Sequence, residues 1–173
     1  MAKLCKVCGS PNANPMAQAC SINCAVTYER QKKAKTKKIK LKRELNENSR
    51  SHQLKLAQQE FNKFVRLRDA DRPCISCGRF HKGKYDAGHY RSVGAASHLR
   101  FNEDNCHAQC VPCNRHKSGN AIDYRINLVK KIGLERVEAL ENDNQPAKLN
   151  LDEIKSIRVK YKEKCKELEQ LNE

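Results

Sequence analysis

The apolar positions of the N-terminal half predict one long helix. No Pro or Gly occurs between Ala25 and Arg68, and strong helix formers dominate this stretch. Its first part is nearly all polar. In its second part the apolar residues follow the 3.6-residue period of an amphipathic helix: Leu54, Ala57, Phe61, Phe64 and Val65. We therefore expect a helix that frays near residues 46–50 and packs its C-terminal part on a core.

The middle of the chain predicts shorter elements, because small residues, glycines and turn formers are frequent there. We expect a strand or turn at Asp86–Arg91, a short strand at Leu99–Phe101 and a helix from about Asn114. Further helix is predicted over residues 122–140. A break is expected at Gly133, since Gly after a basic turn is typical of a helix C-terminus.

Residues 149–171 predict a last helix with an apolar stripe, whose residues follow one another at intervals of three or four positions. Two alternatives are open for the stripe. It packs back onto residues 54–67, or it pairs with a second copy in a homodimer. In either case Cys165 is expected to be a small buried hydrophobic residue. The stripe consists of Leu151, Ile154, Ile157, Tyr161, Cys165, Leu168 and Leu171.

These elements predict an α+β protein of several small parts. Hydrophobic residues make up 38% of the 173, aromatic residues 5%, and Trp is absent. Such a composition does not support a large core, so the parts need staples such as bound metal ions. We place an N-terminal four-cysteine module at residues 1–27, a lysine-rich basic helix at 28–68, a stapled core at 69–141, and a linker with the C-terminal helix at 142–173.

The charge of the chain points to a polyanionic partner. The net charge is +15, and residues 1–68 hold most of it, with 16 Lys and Arg against 4 acids. A solvated or disordered lysine-rich face is the alternative, but the density of cations favours contact with nucleic-acid phosphates. Nine cations form the densest run: Arg30, Lys32, Lys33, Lys35, Lys37, Lys38, Lys40, Lys42 and Arg43.

Ten cysteines supply the staples, and eight of them form two groups at metal-binding spacing. Each group is expected to hold one structural zinc ion, closed by four thiolates and unable to activate water. Cys106 or His107 is an alternative ligand in the second group. We prefer the Cys-x-x-Cys knuckle and expect Cys106 in the core. The groups are Cys5, Cys8, Cys20 and Cys24, and Cys74, Cys77, Cys110 and Cys113.

The same spacing bears on the cellular compartment. Residues 1–5 lead into a cysteine motif without an apolar leader, and no run in the chain has the length of a membrane span. We therefore expect a reduced, cytoplasmic environment and no membrane association. Disulfides in an oxidising compartment are the disfavoured alternative.

Between the two cysteine pairs of the second group lie residues suited to cutting phosphodiesters. His89 is the candidate general base, because imidazole titrates near neutral pH. Asp86 and Asn114 would supply hard oxygen ligands to a catalytic Mg²⁺. Asn105 is expected to pin the backbone that carries His89. The expected phosphate donors are Arg91, Arg115 and Lys117.

Structural roles are the alternatives for these residues. His89 could instead be a competing zinc ligand or a buried polar residue. Asp86 could instead cap a turn. His81, His98 and His116 have no partner at metal-binding spacing, so we expect them at the surface.

The residue order in this region resembles the HNH, or ββα-metal, nuclease motif. It runs Cys-x-x-Cys, Asp86-Ala-Gly-His89 and Asn-Cys-His-Ala-Gln-Cys-Val-Pro-Cys-Asn-Arg-His-Lys. The resemblance implies that His89 is the base, Asn105 the brace and Asn114 a ligand of the catalytic metal. Many HNH nucleases place Asp or His directly before the base; this chain has Gly88 there, and Asp86 would serve instead. The Asn after the second knuckle is similar to that of the phage endonuclease VII type of junction resolvase.

From the first four-cysteine module to Asn-Arg-His-Lys-Ser-Gly, the chain resembles the phage NinG (Rap) recombination proteins. The resemblance implies a structure-selective endonuclease for branched double-stranded DNA, such as Holliday junctions and D-loops. It implies dependence on Mg²⁺ or Mn²⁺ and a homodimer that acts in the bacterial cytoplasm during phage infection. A phage recombinase is left open as a partner.

Two other classes stay open. A non-catalytic zinc protein that binds recombination DNA would explain the charge and the cysteines, with His89 as a structural residue. A regulatory or RNA-binding protein is disfavoured, because the chain lacks the clustered aromatic residues on which single-stranded bases stack.

Overall fold

The computed structural model describes residues 3–14, 16–47, 49–146 and 148–171 of the chain. It divides into two compact units, Met1–Ser49 and Arg50–Glu173. None of the described helices is long and apolar enough to cross a bilayer.

The first unit consists of a cysteine-bearing loop and one helix. A short antiparallel bridge joins Leu4 to Pro11, and helix α1 then runs over Ile22–Glu47. The side-chain oxygen of Ser21 accepts the backbone N–H of Cys24 at 3.3 Å and so caps the first turn. No described residue of α1 is buried. The helix therefore has no core-facing side, as its nearly all-polar sequence predicted.

The helix predicted over 28–68 is two helices, α1 and α2 (Arg50–Arg68). Near the break, the N–H of Ser49 bonds to the carbonyl of Asn46 at 3.0 Å, a tighter pattern than the α-helical one. Asn and Ser side chains compete with helical backbone bonds, which explains a helix end in this segment. Asn48, within the segment where fraying was expected, lies outside the described residues. The other bounds of the four-part division stay a prediction.

The second unit is a mixed α+β structure around a small antiparallel sheet. The two strands pair from Tyr85 opposite Cys110 to His89 opposite Cys106. The predicted α+β class is thereby confirmed. After α2, the elements are β1 (Tyr85–His89), a 3-10 helix (Ser97–Phe101), β2 (Cys106–Cys110), a π-helix (Pro112–His116), α3 (Ala121–Ile132), α4 (Leu134–Asn142) and α5 (Leu151–Leu171).

The strand predicted at Leu99–Phe101 is wrong, because this segment is the 3-10 helix. The N–H of Leu99 bonds to Ala96 and that of Asn102 to Leu99, the spacing of a 3-10 turn. The second strand is Cys106–Cys110 instead. Its sequence, Cys-His-Ala-Gln-Cys, alternates apolar and polar residues as a strand does. All five residues are buried, so the alternation does not separate a buried face from an exposed one.

The break expected at Gly133 is confirmed. Its φ of 88° lies in the left-handed region that favours Gly, and its N–H closes α3 on the carbonyl of Val129 at 2.9 Å. Helix α4 begins at the next residue, so α3 and α4 form a bent pair.

Helix α5 packs on α2, which is the intrachain alternative for its apolar stripe. The rings of Phe61 and Tyr161 meet edge to face with centroids 4.8 Å apart. Cys165 is 1% exposed within this cluster, as predicted. The homodimer stays a prediction. The buried cluster consists of Phe61, Phe64, Val65, Cys106, Tyr161 and Cys165.

A second buried cluster lies where α3 and α4 cover the segment after β1. Tyr124 anchors it: its hydroxyl donates to the carbonyl of Gly88 at 2.9 Å, so the helix layer is tied to the sheet. The cluster consists of Ile75, Ala96, Leu99, Tyr124, Leu128, Val137 and Leu140.

A buried carboxylate joins α2 to β2. Asp69 is 4% exposed, and one oxygen accepts the backbone N–H of Ala108 at 3.0 Å. Arg68 and Lys131 form ion pairs with it at 2.8 and 3.1 Å. Burial alone would raise the pKa of Asp69, but these hydrogen bonds and charges lower it to about 2. The carboxylate is therefore ionised and fully partnered inside the fold.

Gly88 in β1 is required by Gln109, which lies diagonally across the sheet in β2. A Cβ atom at this position would lie 2.1 Å from Oε1 and 2.9 Å from Cβ of Gln109. Gln109 is fully buried and cannot move aside freely, because its amide donates to Ser76 and to the carbonyl of Gly119, both at 2.6 Å. The position directly before His89 is thus closed to any larger side chain.

Gly88→Ala is therefore expected to destabilise the zinc-loaded protein by about 1–3 kcal/mol, because Gln109 must leave its hydrogen bonds or the strands must shift. Urea unfolding measures the loss. Gly94→Ala is the matched control, since the nearest atom to its added methyl is Ser92 Oγ at 3.9 Å. In a Gln109→Ala background the cost of Gly88→Ala should fall, and an unchanged cost would contradict the proposed clash.

Candidate metal centres and catalytic residues

The first group of four cysteines converges in the N-terminal unit. The sulfur atoms of Cys5, Cys8, Cys20 and Cys24 all lie within 4.8 Å of one another. A turn closed by the N–H of Gly9 on the carbonyl of Cys5 brings the first pair together, and α1 carries Cys24. The backbone N–H groups of Cys8 and Val7 lower the pKa of Cys5 to about 6, which favours the thiolate that a metal ion requires.

The second group of four cysteines converges at one end of the sheet. The sulfur atoms of Cys74, Cys77, Cys110 and Cys113 also lie within 4.8 Å of one another, and only Cys77 is not buried. Burial raises the pKa of Cys74, but the N–H groups of Cys110, Cys77 and Ser76 lower it overall. Four converging thiols fit a tetrahedral zinc ion, and such a site leaves no position for water.

Cys106 and His107, the alternative ligands, lie outside both groups. Cys106 is fully buried against the α2–α5 cluster, as expected. His107 is 2% exposed, and its Nδ1 lies 3.3 Å from the hydroxyl of Tyr124. Burial, followed by the charges of Lys131 and Arg68, lowers the pKa of His107 to about 3. His107 is therefore a neutral core residue rather than a metal ligand.

His81 is a contact that sequence reasoning missed. It is exposed, as expected, but its Nε2 lies 3.1 Å from the sulfur of Cys77. Its backbone N–H donates to the hydroxyl of Tyr85 at 2.8 Å, which holds the loop against β1. The spacing Cys77-x-x-x-His81 was the available signal. Since His81 does not belong to the group of four, it contacts the rim of the thiol cluster.

His89 lies at the end of β1 and is held by a backbone carbonyl. Its Nε2 is 2.9 Å from the carbonyl oxygen of Arg100, and its ring packs near Phe61 with centroids 6.2 Å apart. A carbonyl oxygen only accepts, so Nε2 carries the proton and Nδ1 of the neutral ring carries a lone pair. Burial lowers the pKa of His89, which favours this neutral form. Such a ring is able to take a proton from water.

Asn105 ties the backbone that follows His89 to the 3-10 helix. Its Oδ1 accepts the N–H of Arg91 at 2.8 Å, and its Nδ2 donates to the carbonyls of Arg91 and Leu99 at 3.0 and 3.2 Å. The 3-10 helix that contains Leu99 also contains Arg100, the residue that holds His89. These contacts are those of a residue that pins the loop.

Asp86 and Asn114 lie together near the second cysteine group. The side-chain amide of Asn114 donates to Asp86 at 2.9 Å, and Arg115 grips both carboxylate oxygens at 2.8 and 2.9 Å. The hydrogen bonds from Arg115 lower the pKa of Asp86, despite partial burial. An ionised carboxylate beside an amide fits the hard-oxygen chemistry of Mg²⁺, which would share the carboxylate with Arg115.

His89 and Asp86 belong to separate sets of contacts. They are three residues apart in β1, and residues an odd number apart in a strand point to opposite faces. Among the described residues, none of the contacts above joins His89 to Asp86 or to Asn114. The closed position at Gly88 also removes the residue before His89 as a metal ligand.

The three expected phosphate donors of the second unit differ in their surroundings. Arg91 is half-buried, and its guanidinium donates to the carbonyls of Leu140 and Asp143 at 2.7 and 2.6 Å, at the C-terminus of α4. These contacts give Arg91 a packing role. Lys117 is exposed, and Arg115 is exposed but paired with Asp86.

The nine cations predicted to contact DNA all lie exposed on α1. Two form weak ion pairs along the helix, Lys32 with Glu29 at 3.7 Å and Lys40 with Glu44 at 4.0 Å. Pairs this exposed contribute little to stability, so the run remains a strongly positive surface.

The chain is an α+β protein with two four-cysteine clusters, and its sequence places it in a known phage family. A family model described as "Bacteriophage Lambda NinG protein" matches residues 1–173. The chain is 46% identical to Protein ninG of Escherichia phage lambda over 136 residues, 79% of this chain and 64% of the relative. It belongs to the NinG family.

Two further relatives agree. Protein ninG of Escherichia phage 933W is 48% identical over 132 residues, 76% of this chain and 66% of the relative. Protein ninG of Salmonella phage P22 is 46% identical over 136 residues, 79% of this chain and 64% of the relative. The chain thus spans just under two thirds of the length of these relatives. No solved structure matches it.

Elemental analysis of the purified chain is expected to return two zinc ions per molecule, since two groups of four thiols converge. Cys74→Ser should reduce the count to one. Cys106→Ala, which removes a buried thiol outside both groups, is the matched control and should keep two. A wild-type count of one or none would contradict the assignment.

Burial of neutral His107 predicts a loss of stability in acid. Between the ordinary pKa of 6.5 and the folded value of about 3, only the unfolded chain binds this proton. Stability is therefore full above pH 6.5 and falls by at most about 1.4 kcal/mol per pH unit as the pH drops through that window. Urea unfolding at pH 7.0 and 5.5 should show a smaller fall for His107→Gln than for wild type, and equal falls would contradict the prediction.

Proposed function

We propose that the chain is a metal-dependent endonuclease of the HNH, or ββα-metal, type that cuts branched DNA in phage recombination. The observation that carries the proposal is the arrangement around His89. A half-buried imidazole at the end of β1 is bonded to a backbone carbonyl through Nε2, which leaves Nδ1 as a base. The antiparallel strand pair, the helical turn that follows it and the four-thiol cluster support the proposal.

In the proposed reaction, His89 takes a proton from the water that attacks the scissile phosphate. Asp86 and Asn114 would hold a Mg²⁺ or Mn²⁺ ion, which when bound supplies charge to the phosphate and to the leaving 3′ oxygen. Asn105 positions the backbone around His89 through its three hydrogen bonds. Both zinc ions stay structural, because their sites are closed.

The cations of α1 would contact the DNA backbone without reading its sequence. Their exposure and the net charge of +15 support a polyanionic substrate. Preference for Holliday junctions and D-loops would come from the shape of the DNA. A homodimer in the host cytoplasm would place two active sites near opposed strands of a junction, and a phage recombinase is the natural partner for such a step.

A non-catalytic zinc protein that binds recombination DNA is the second candidate. Two observations favour it: Arg115 occupies both oxygens of Asp86, and the contacts of His89 are separate from those of Asp86. In this alternative His89 serves to anchor the 3-10 helix, and the cations of α1 carry the whole function.

Cleavage of a labelled four-way junction in Mg²⁺ separates the candidates. His89→Ala is expected to reduce cleavage by about 10²–10⁴-fold, the usual contribution of a general base, while junction binding is retained. A linear duplex of the same sequence should be cut poorly by the wild type.

His98→Ala is the matched control. His98 was expected at the surface, which is wrong: its side chain is only 10% exposed, and it bonds to the carbonyl of Asp143 at 2.8 Å. The variant therefore removes another largely buried imidazole and should keep cleavage near the wild-type rate. Tight junction binding by the wild type without cleavage in Mg²⁺ or Mn²⁺ would contradict the nuclease proposal and leave the second candidate.

A further inference from the structure

A cavity of about 420 Å³ opens beside the segment that holds His89. Three cations line it, Arg50, Arg100 and Lys148, and no acid occurs among the described residues of its wall. Leu54, Pro146 and Leu149 supply an apolar side to the same cavity. A cavity with cations on one wall and apolar side chains on another suits a phosphate joined to a sugar.

The two arginines line the same cavity, and each is hydrogen-bonded to a neutral oxygen. Arg50 donates to the carbonyl of Leu149 at 3.0 Å, and Arg100 donates to the side-chain oxygen of Gln58 at 3.2 Å. Burial first and the nearby charge of Arg50 second both lower the pKa of Arg100. Like charges brought together in this way store a repulsion that an anion between them would relieve.

The local backbone adds to the positive field. Helix α2 begins at Arg50 and has no acidic residue in its first turn. The N-terminal end of a helix carries a partial positive charge that favours anions. This contribution is minor beside that of the arginines, but it has the same sign.

Arg100 connects the cavity to the candidate base. Its side chain lines the cavity, and its carbonyl oxygen lies 2.9 Å from Nε2 of His89. We propose that this cavity, the Arg50–Arg100 pocket, binds a backbone phosphate of the DNA strand next to the one that His89 attacks. The inference rests on the proposed function for the identity of the anion. Guanidinium groups suit this task, because their fork matches two phosphate oxygens.

A pair of charge-matched double variants tests the pocket. Arg50→Gln/Arg100→Gln removes two positive charges from it, and Lys162→Gln/Lys166→Gln removes two from exposed positions on α5. Binding of a labelled four-way junction is measured between 50 and 200 mM salt. The arginine double variant should bind about tenfold more weakly or worse. Its plot of log affinity against log salt should be less steep by about 1, and the lysine variant should stay near wild type.

Folding is checked separately, so that a damaged protein is not mistaken for a lost contact. Both double variants should keep two zinc ions and the wild-type thermal melt. Arg100→Lys keeps the positive charge but not the forked guanidinium group. Compared with the arginine double variant, its salt slope should therefore return toward the wild-type value more than its affinity does. A fall in zinc content or melting temperature in Arg50→Gln/Arg100→Gln alone would assign the pair to folding and overturn the inference.

Inorganic phosphate distinguishes failure of the pocket from failure of the proposed function. Phosphate should raise the melting temperature of the wild type and not that of the arginine variant. Wild-type junction binding with equal affinities and slopes for both double variants would overturn the pocket and leave the nuclease proposal standing. Phosphate stabilisation without any junction binding would keep an anion site but overturn its assignment to DNA. If the wild type shows neither phosphate stabilisation nor junction binding, both the pocket and the proposed function are overturned.

Discussion

The convergence of Cys74, Cys77, Cys110 and Cys113 is the constraint on which the second unit depends. Its sheet has two strands of five residues, too few to be stable alone. The cysteine group joins three separate segments: the turn after α2, the end of β2 and the π-helix. Asn114 follows the last cysteine directly, so the group also decides that this amide meets Asp86 of β1. A bound zinc ion would turn that convergence into a fixed geometry.

Buried polar groups hold the rest of the sheet. Asp69 reaches the backbone of β2 through Ala108, and Asn105 joins the segment after β1 to the 3-10 helix. Burying a carboxylate or an amide is costly unless each is hydrogen-bonded, and both are. Hydrogen bonds are directional, whereas apolar packing is not. They therefore decide where the carbonyl of Arg100 lies, and through it how the ring of His89 is turned.

Charge is distributed so that the two units are suited to different tasks. Helix α1 has nine exposed cations in its densest run and no buried residue, so its side chains are available to a polyanion. In the second unit several cations are engaged: Arg68 and Lys131 hold Asp69, and Arg91 bonds to carbonyls at the end of α4. Arg50 and Arg100 also bond to neutral oxygens, but they differ from Arg91 because they line an open cavity. This contrast supports a division between general phosphate contact and positioning of one strand.

The sequence alone determined what depends on spacing along the chain. Cysteine knuckles, the helical period of Leu54–Val65 and the break at Gly133 are local patterns, and the structure agrees with each. Tertiary structure decided what depends on distant partners. Strand β2 buries its polar His107 and Gln109 together with its apolar residues. Gly88 is explained only by Gln109 across the sheet, and Arg100 matters through its carbonyl. The separation of Asp86 from His89 also depends on the tertiary structure. The pleat of a strand sets which way each side chain points, and it is known only once the strand itself is known.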